Sequence, residues 1–217
     1  NHFASLFYTL LGLLLMRKVL LQFTSEKITT LALILLVLAT NYLHMNYSCI
    51  GLVHVYLFPL YALLILLTTK FHEKRSIFLS IAIGATLGLM ILTRPTEAIA
   101  VLIPLLYGVT NYKDLRNRIR DFFTTKHYYL AIFFMVGVYG IQMIYWKLTT
   151  GDFLFYSYTN PAEGLDLDKP NLLKVLFSFR KGWLVYTPIM LLMILGFINI
   201  FKTKKELFWP LIGFTAV

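Results

Sequence analysis

Two adjacent cations, Arg180 and Lys181, stand between the apolar run at 171–179 and Trp183. A guanidinium in that setting can hold a phosphate through two parallel hydrogen bonds, and the neighbouring ammonium adds a point charge. The other reading is a pair of side chains snorkelling at a helix end. A second constellation is Leu92-Thr93-Arg94-Pro95-Thr96-Glu97. An arginine so close to apolar segments is costly unless paired or functional, and Glu97, three residues on, is one available partner. A third is His54-Val55-Tyr56, where the imidazole is a proton carrier, a polar contact to a ligand, or a hydrogen-bonded packing residue. Asp166-x-Asp168 spaces two carboxylates so that they share a hard cation or simply make a solvated acidic loop. No metal is assigned on that pattern alone. The single cysteine, Cys49, rules out a disulfide within the chain and any Cys-based metal or redox motif.

These residues need elements to position them, and composition says which kind. Of 217 residues, 59% are apolar and only 14% are charged, against about 25% charged in an ordinary soluble domain. Mean hydropathy is +0.72. A soluble globule or a disordered chain does not have this balance. The expected fold is all-α, a polytopic transmembrane helical bundle. Six apolar stretches, at residues 28–43, 51–69, 76–93, 96–110, 127–146 and 183–201, read as full crossings. Two shorter ones, at 1–16 and 207–217, read as partial crossings. This pattern predicts a single transmembrane domain over 1–217 that is an internal stretch of a longer membrane protein.

Charge gives the expected orientation. Of the Lys and Arg residues in alternate connections, fourteen fall on one side and six on the other, with acidic residues split five and five, so the sides carry +9 and +1. By the positive-inside rule the +9 side is cytoplasmic. The net charge of +10 is then a topology signal, and nucleic acid drops out as a partner. Two connections are longer than turns. In the cytoplasmic segment 111–126, Leu115, Ile119, Phe122 and Phe123 recur at helical spacing between basic residues, the pattern of an interfacial amphipathic helix. The external loop 147–182 holds an aromatic run at 153–158, then an acidic turn-rich stretch. A short interfacial helix over 171–179 follows, opened by Pro170 with Asp168 near its cap.

Several of these segments, in this order, carry a resemblance. Gly51-Leu-Val-His-Val-Tyr-Leu-Phe, Lys70-Phe-His-Glu-Lys, Leu92-Thr-Arg-Pro-Thr and Leu176-Phe-Ser-Phe-Arg-Lys-Gly-Trp-Leu-Val-Tyr-Thr-Pro188 are similar to bacterial polytopic glycosyltransferases of the GT-C superfamily. The branch is the one that resembles polyprenyl- or dolichyl-phosphate-mannose mannosyltransferases. The resemblance implies an inner-membrane, multi-pass enzyme. It would move a mannose-like sugar from a polyprenyl-phosphate donor to an acceptor on the external face, with membrane lipid and the lipid-linked sugar as partners. It also implies an acidic catalytic residue in an earlier external loop, upstream of residue 1, and in some members a divalent metal. On physical grounds Arg94, Arg180 and Lys181 would hold the donor phosphate as negative charge develops on it. His54, Tyr56 and Glu97 are expected polar contacts of the same site. A transporter or flippase of an anionic lipid-linked substrate would use the same basic external site.

Overall fold

The computed structural model describes residues 2–48, 52–154, 172–179 and 182–215, and among these it is helical with no strand. In chain order the helices are α1 (His2–Leu20), α2 (Glu26–Ala39), α3 (Tyr42–Tyr47), α4 (His54–Glu73), α5 (Ile77–Thr93), α6 (Leu102–Leu106), α7 (Tyr112–Thr124), α8 (Lys126–Thr150), α9 (Leu172–Phe177), α10 (Trp183–Tyr186), α11 (Leu191–Thr203) and α12 (Lys205–Thr215). Short 3-10 segments at Pro95–Val101 and Pro188–Met190 precede α6 and α11. Local chemistry sets several ends. Ser76 and Asn111 cap α5 and α7 by accepting from Leu79 N (3.2 Å) and Asp114 N (3.0 Å). Gly151 ends α8 at φ 87°, which a side chain would strain.

Three helices, α1, α4 and α8, are long and apolar enough to cross a membrane. Of the remaining apolar stretches, 76–93 is one continuous helix, the 17-residue α5, and the others are shorter or divided. Residues 96–110 divide into the 3-10 segment and the five-residue α6, which contains Pro104. Residues 183–201 break at Thr187, which is non-helical just before Pro188. Residues 28–43 stop at Ala39, where Thr40 is extended. The first segment errs the other way. Arg17 and Lys18 do not terminate it; α1 runs on to Leu20 as a 19-residue helix, because cations in a last turn complement the helix dipole.

Helix α4 packs on α1 and on α5, and α5 packs on α8. The α5–α8 contact is the closest. Gly84 and Gly88 form a small-xxx-small stripe that lets the two backbones meet. A Cβ on Gly88 would stand 2.8 Å from the Met135 carbonyl oxygen, and one on Gly84 would penetrate the Ala131 carbonyl. Leu57, Leu64 and Phe71 of α4 make the main core with Ile83, Leu87 and Met90 of α5. Val19 of α1 seals a smaller cluster with Ala62 and Leu66. By contrast α8 turns Phe133, Ile141, Ile144 and Leu148 outward, a surface suited to lipid rather than water. Within α4, Thr68 is fully buried and its hydroxyl has no hydrogen-bond partner among the described residues. Thr68→Val keeps the shape and removes the unsatisfied group. It is expected to raise thermal stability by about 1 kcal/mol, read as a higher midpoint in detergent; a lower midpoint would mean that the hydroxyl is bonded after all.

The basic connections gather at one end of the bundle. Arg75 pairs with Asp121 (2.6 Å), joining the 70–75 turn to α7, and Gly108 N donates to Glu206 O (3.0 Å), bringing in the 202–206 turn. Helix α7 is held there by Arg118. One guanidinium nitrogen donates to His72 Nδ1 (2.9 Å) and Tyr128 Oη (3.0 Å), the other to the Tyr107 carbonyl (2.8 Å). His72 Nε2 lies 3.0 Å from the Pro104 carbonyl. A guanidinium only donates and a carbonyl only accepts, so the ring is the neutral Nε2–H tautomer. A proton on Nδ1 would face the guanidinium. The contact therefore keeps the ring neutral, and its contribution to holding α7, full above the ordinary histidine range near pH ~6.5, declines progressively as pH falls below it. Amide hydrogen exchange in α7 is expected to accelerate as pH falls from 7.5 to 5.5 beyond the intrinsic trend, and His72→Gln should abolish that excess. An identical excess in His72→Gln would place the sensitivity elsewhere.

Candidate functional site

At the opposite end of the bundle, α2, α3, α4 and α10 surround a cavity of about 390 Å3. Its wall is built in two layers. Tyr42 and Asn46 of α3 are fixed from behind by α1. The Tyr42 hydroxyl donates to Thr9 O (2.9 Å), Thr9 Oγ1 donates to Asn46 Oδ1 (2.6 Å), and Ser5 Oγ donates to Asn46 O (2.8 Å). The Tyr42 ring packs on Phe58 with centroids 4.8 Å apart. Burial pushes the Tyr42 phenol up to about 12, so it stays a neutral hydrogen-bonding group. The second layer is open. His54, Asn41 and Thr187 line the cavity, and among the described residues their side chains have no hydrogen-bond partner. Trp183 supplies an aromatic wall, and Leu36, Met45 and Met190 an apolar floor. Among the described residues no carboxylate lines the space. An imidazole, an amide and a hydroxyl around an aromatic face suit a neutral polyhydroxylated group, and the size lies in the usual range for small-ligand sites.

The sequence-predicted residues divide. His54 is in this wall. Tyr56 is not; it points to α1, where its ring meets Tyr8 edge-on at 5.0 Å. Glu97 does not pair with Arg94. Its carboxylate accepts from the Tyr61 hydroxyl, and the ion pairs among the described residues are Arg17–Glu26 and Arg75–Asp121. Arg94 is exposed at the end of α5. Tyr61 follows His54 by seven residues on α4, so the two share a side of the helix about 10 Å apart along its axis. Arg94 and Glu97 therefore lie at the cavity's end of the bundle without lining it. Arg180, Lys181, Asp166 and Asp168 are outside the described residues. Among those described, no group of three His, Cys, Asp or Glu side chains could hold a metal ion.

Sequence reasoning passed over Trp183, Thr187 and Asn41. Trp183 was legible only as the start of a crossing, and Asn41 lies unmarked inside the stretch 28–43 that reads as one crossing. What brings them together is the break at Thr187, which no local pattern places opposite α3. The chain matches no protein-family model, no curated protein and no solved structure.

Proposed function

We propose that this chain belongs to a membrane glycosyltransferase that moves a mannose-like sugar from a polyprenyl-phosphate donor to an acceptor on the external face of the cytoplasmic membrane. The cavity lined by His54, Asn41, Thr187 and Trp183 is the observation that carries the reading. It offers an aromatic face with uncommitted polar groups, as a sugar requires, next to apolar residues that accept a lipid tail. Arg180 and Lys181 precede Trp183 by three and two residues. Three residues of chain reach no more than about 10 Å, which keeps a phosphate-binding pair within range of that face. The gathering of the basic connections at the far end agrees with a cytoplasmic assignment for that end. The bundle then has more crossings than its three long helices, the broken segments at 96–110 and 183–201 completing them as discontinuous spans. Such discontinuous helices also favour a second reading, a transporter or flippase of an anionic lipid-linked substrate.

The test is direct. The full-length protein in liposomes is given polyprenyl-phosphate mannose, and both binding and transfer are measured. Transfer that falls about tenfold or more in Trp183→Ala and His54→Ala supports the enzyme. Donor binding without transfer supports the flippase. Absence of binding rejects both. Orientation is checked separately, by impermeant labelling of Thr159→Cys in a Cys49→Ser background. Labelling is expected from outside intact cells, and labelling only after permeabilisation would reverse the sidedness.

A further inference from the structure

The helical spacing of α7 predicts one apolar stripe; in the folded helix its two edges face different ways. Leu115 and Phe122 face the bundle with Arg118, Asp114 and Asp121. Ile119 and Phe123 face away, joined by Tyr112, and these three are 52%, 66% and 81% exposed. At about 100° per residue they fall within roughly 40° of arc, and Arg116, Arg120 and Lys113 occupy the next roughly 60°. All three cations are exposed. The helix has two carboxylates, and both are engaged elsewhere. Asp114 accepts from the Thr110 hydroxyl (2.6 Å) and backbone (3.0 Å), and Asp121 pairs with Arg75. The hydrogen bonds from Thr110 hold the Asp114 carboxyl below its usual range, and Arg75 does the same for Asp121. The outward face thus combines large apolar side chains with an uncompensated basic row.

We infer that this outward face of α7, Tyr112, Ile119 and Phe123 beside Lys113, Arg116 and Arg120, is a docking surface for the anionic phospholipid headgroups of the leaflet at this end of the bundle. The apolar stripe enters the acyl boundary, and the basic row meets phosphates one step around the helix, where headgroups lie. Charge complementarity selects this occupant: a zwitterionic surface gives the cations no net attraction, and an aqueous protein partner gives the exposed rings no lipid to enter. The Arg118 anchor on the inner face fixes the rotation of the helix, so the stripe meets the membrane without refolding. This surface does not depend on sugar chemistry at the other end.

The experiment uses the full-length protein in a Cys49→Ser background, with an environment-sensitive fluorophore on Phe123→Cys. It is reconstituted into vesicles of phosphatidylcholine alone, or of phosphatidylcholine and phosphatidylglycerol in equal amounts. The label is expected to move into lipid with phosphatidylglycerol and to remain wetter without it. Replacing Lys113, Arg116 and Arg120 together by Gln should reduce the buried-to-wet ratio by at least about tenfold, given the attraction of each basic residue to an anionic surface. A label on Thr124→Cys, at the polar edge, should stay wet throughout. Equal burial in both vesicles, an unchanged ratio in the triple variant, burial already present in detergent, or burial of the Thr124 label would each overturn the inference. The last two would point to a protein contact or to a rotated helix.

Discussion

Replacing Gly84 with alanine is expected to push α5 and α8 apart and to cost about 3 kcal/mol or more, the upper range for overpacking a close contact. The added Cβ would occupy the space of the Ala131 carbonyl, and backbone, unlike a side-chain tip, has no alternative rotamer. Gly88→Ala should follow closely, since its Cβ would meet the Met135 carbonyl oxygen at 2.8 Å and Val138 Cβ at 2.7 Å. Gly137 and Gly140 of α8 are the controls. Nothing lies within 4 Å of either added Cβ, so alanine there should be neutral or slightly favourable to the helix. Gly12 is an intermediate case. Its added Cβ would meet the Phe58 ring edge at 2.6 Å, and a ring can turn. Thermal unfolding in detergent, followed by the recovery of monodisperse protein, gives the order directly. A Gly84→Ala midpoint equal to that of Gly137→Ala would mean that the α5–α8 contact is not as close as described.

The second large effect is on chemistry. Under the proposed reading, Arg180→Ala in the full-length protein is expected to lower transfer by about one to three orders of magnitude, the range for removing a charge-assisted contact that strengthens in the transition state. Arg180→Lys should not restore it, because an ammonium lacks the two-pronged donor geometry of a guanidinium. Expression and thermal midpoint should be nearly unchanged, since a headgroup-level cation contributes little to packing. This distinguishes the variant from Gly84→Ala, which loses activity by losing the fold. A well-folded Arg180→Ala enzyme with near-normal transfer would assign the pair to snorkelling. Glu97 bonds to Tyr61 rather than to Arg94, so Glu97→Gln is not a test of Arg94 and should be read through the Tyr61 contact.

Composition and charge order are properties of the chain that survive any folding detail, and they determined much. An apolar fraction of 59% with few charges, gathered in long continuous runs, pointed to helices, since helices satisfy their own backbone where no water does. The alternation of basic connections anticipated that residues 70–75, 111–126 and 202–206 belong at one end, and the Arg75–Asp121 and Gly108–Glu206 contacts join them there. His54 was recognisable because an ionisable group in an apolar stretch is conspicuous. Only tertiary structure decided the rest, for a consistent reason: hydropathy is summed over a window, whereas a helix break, a close contact or a partner is set by single atoms. The windows at 96–110 and 183–201 are apolar enough to cross, yet the helix of the first ends at Leu106, just before Gly108 at φ 77°, and the Thr187-Pro188 junction interrupts the second. Glu97 lies three residues from Arg94, yet its partner is Tyr61, 36 positions away. The apolar residues of α7 share one periodicity, yet Arg118, anchored by His72 and Tyr128, rotates Leu115 and Phe122 inward and leaves Ile119 and Phe123 outside. Spacing fixed which residues can share a face, and the packing of a distant helix decided which way that face turned.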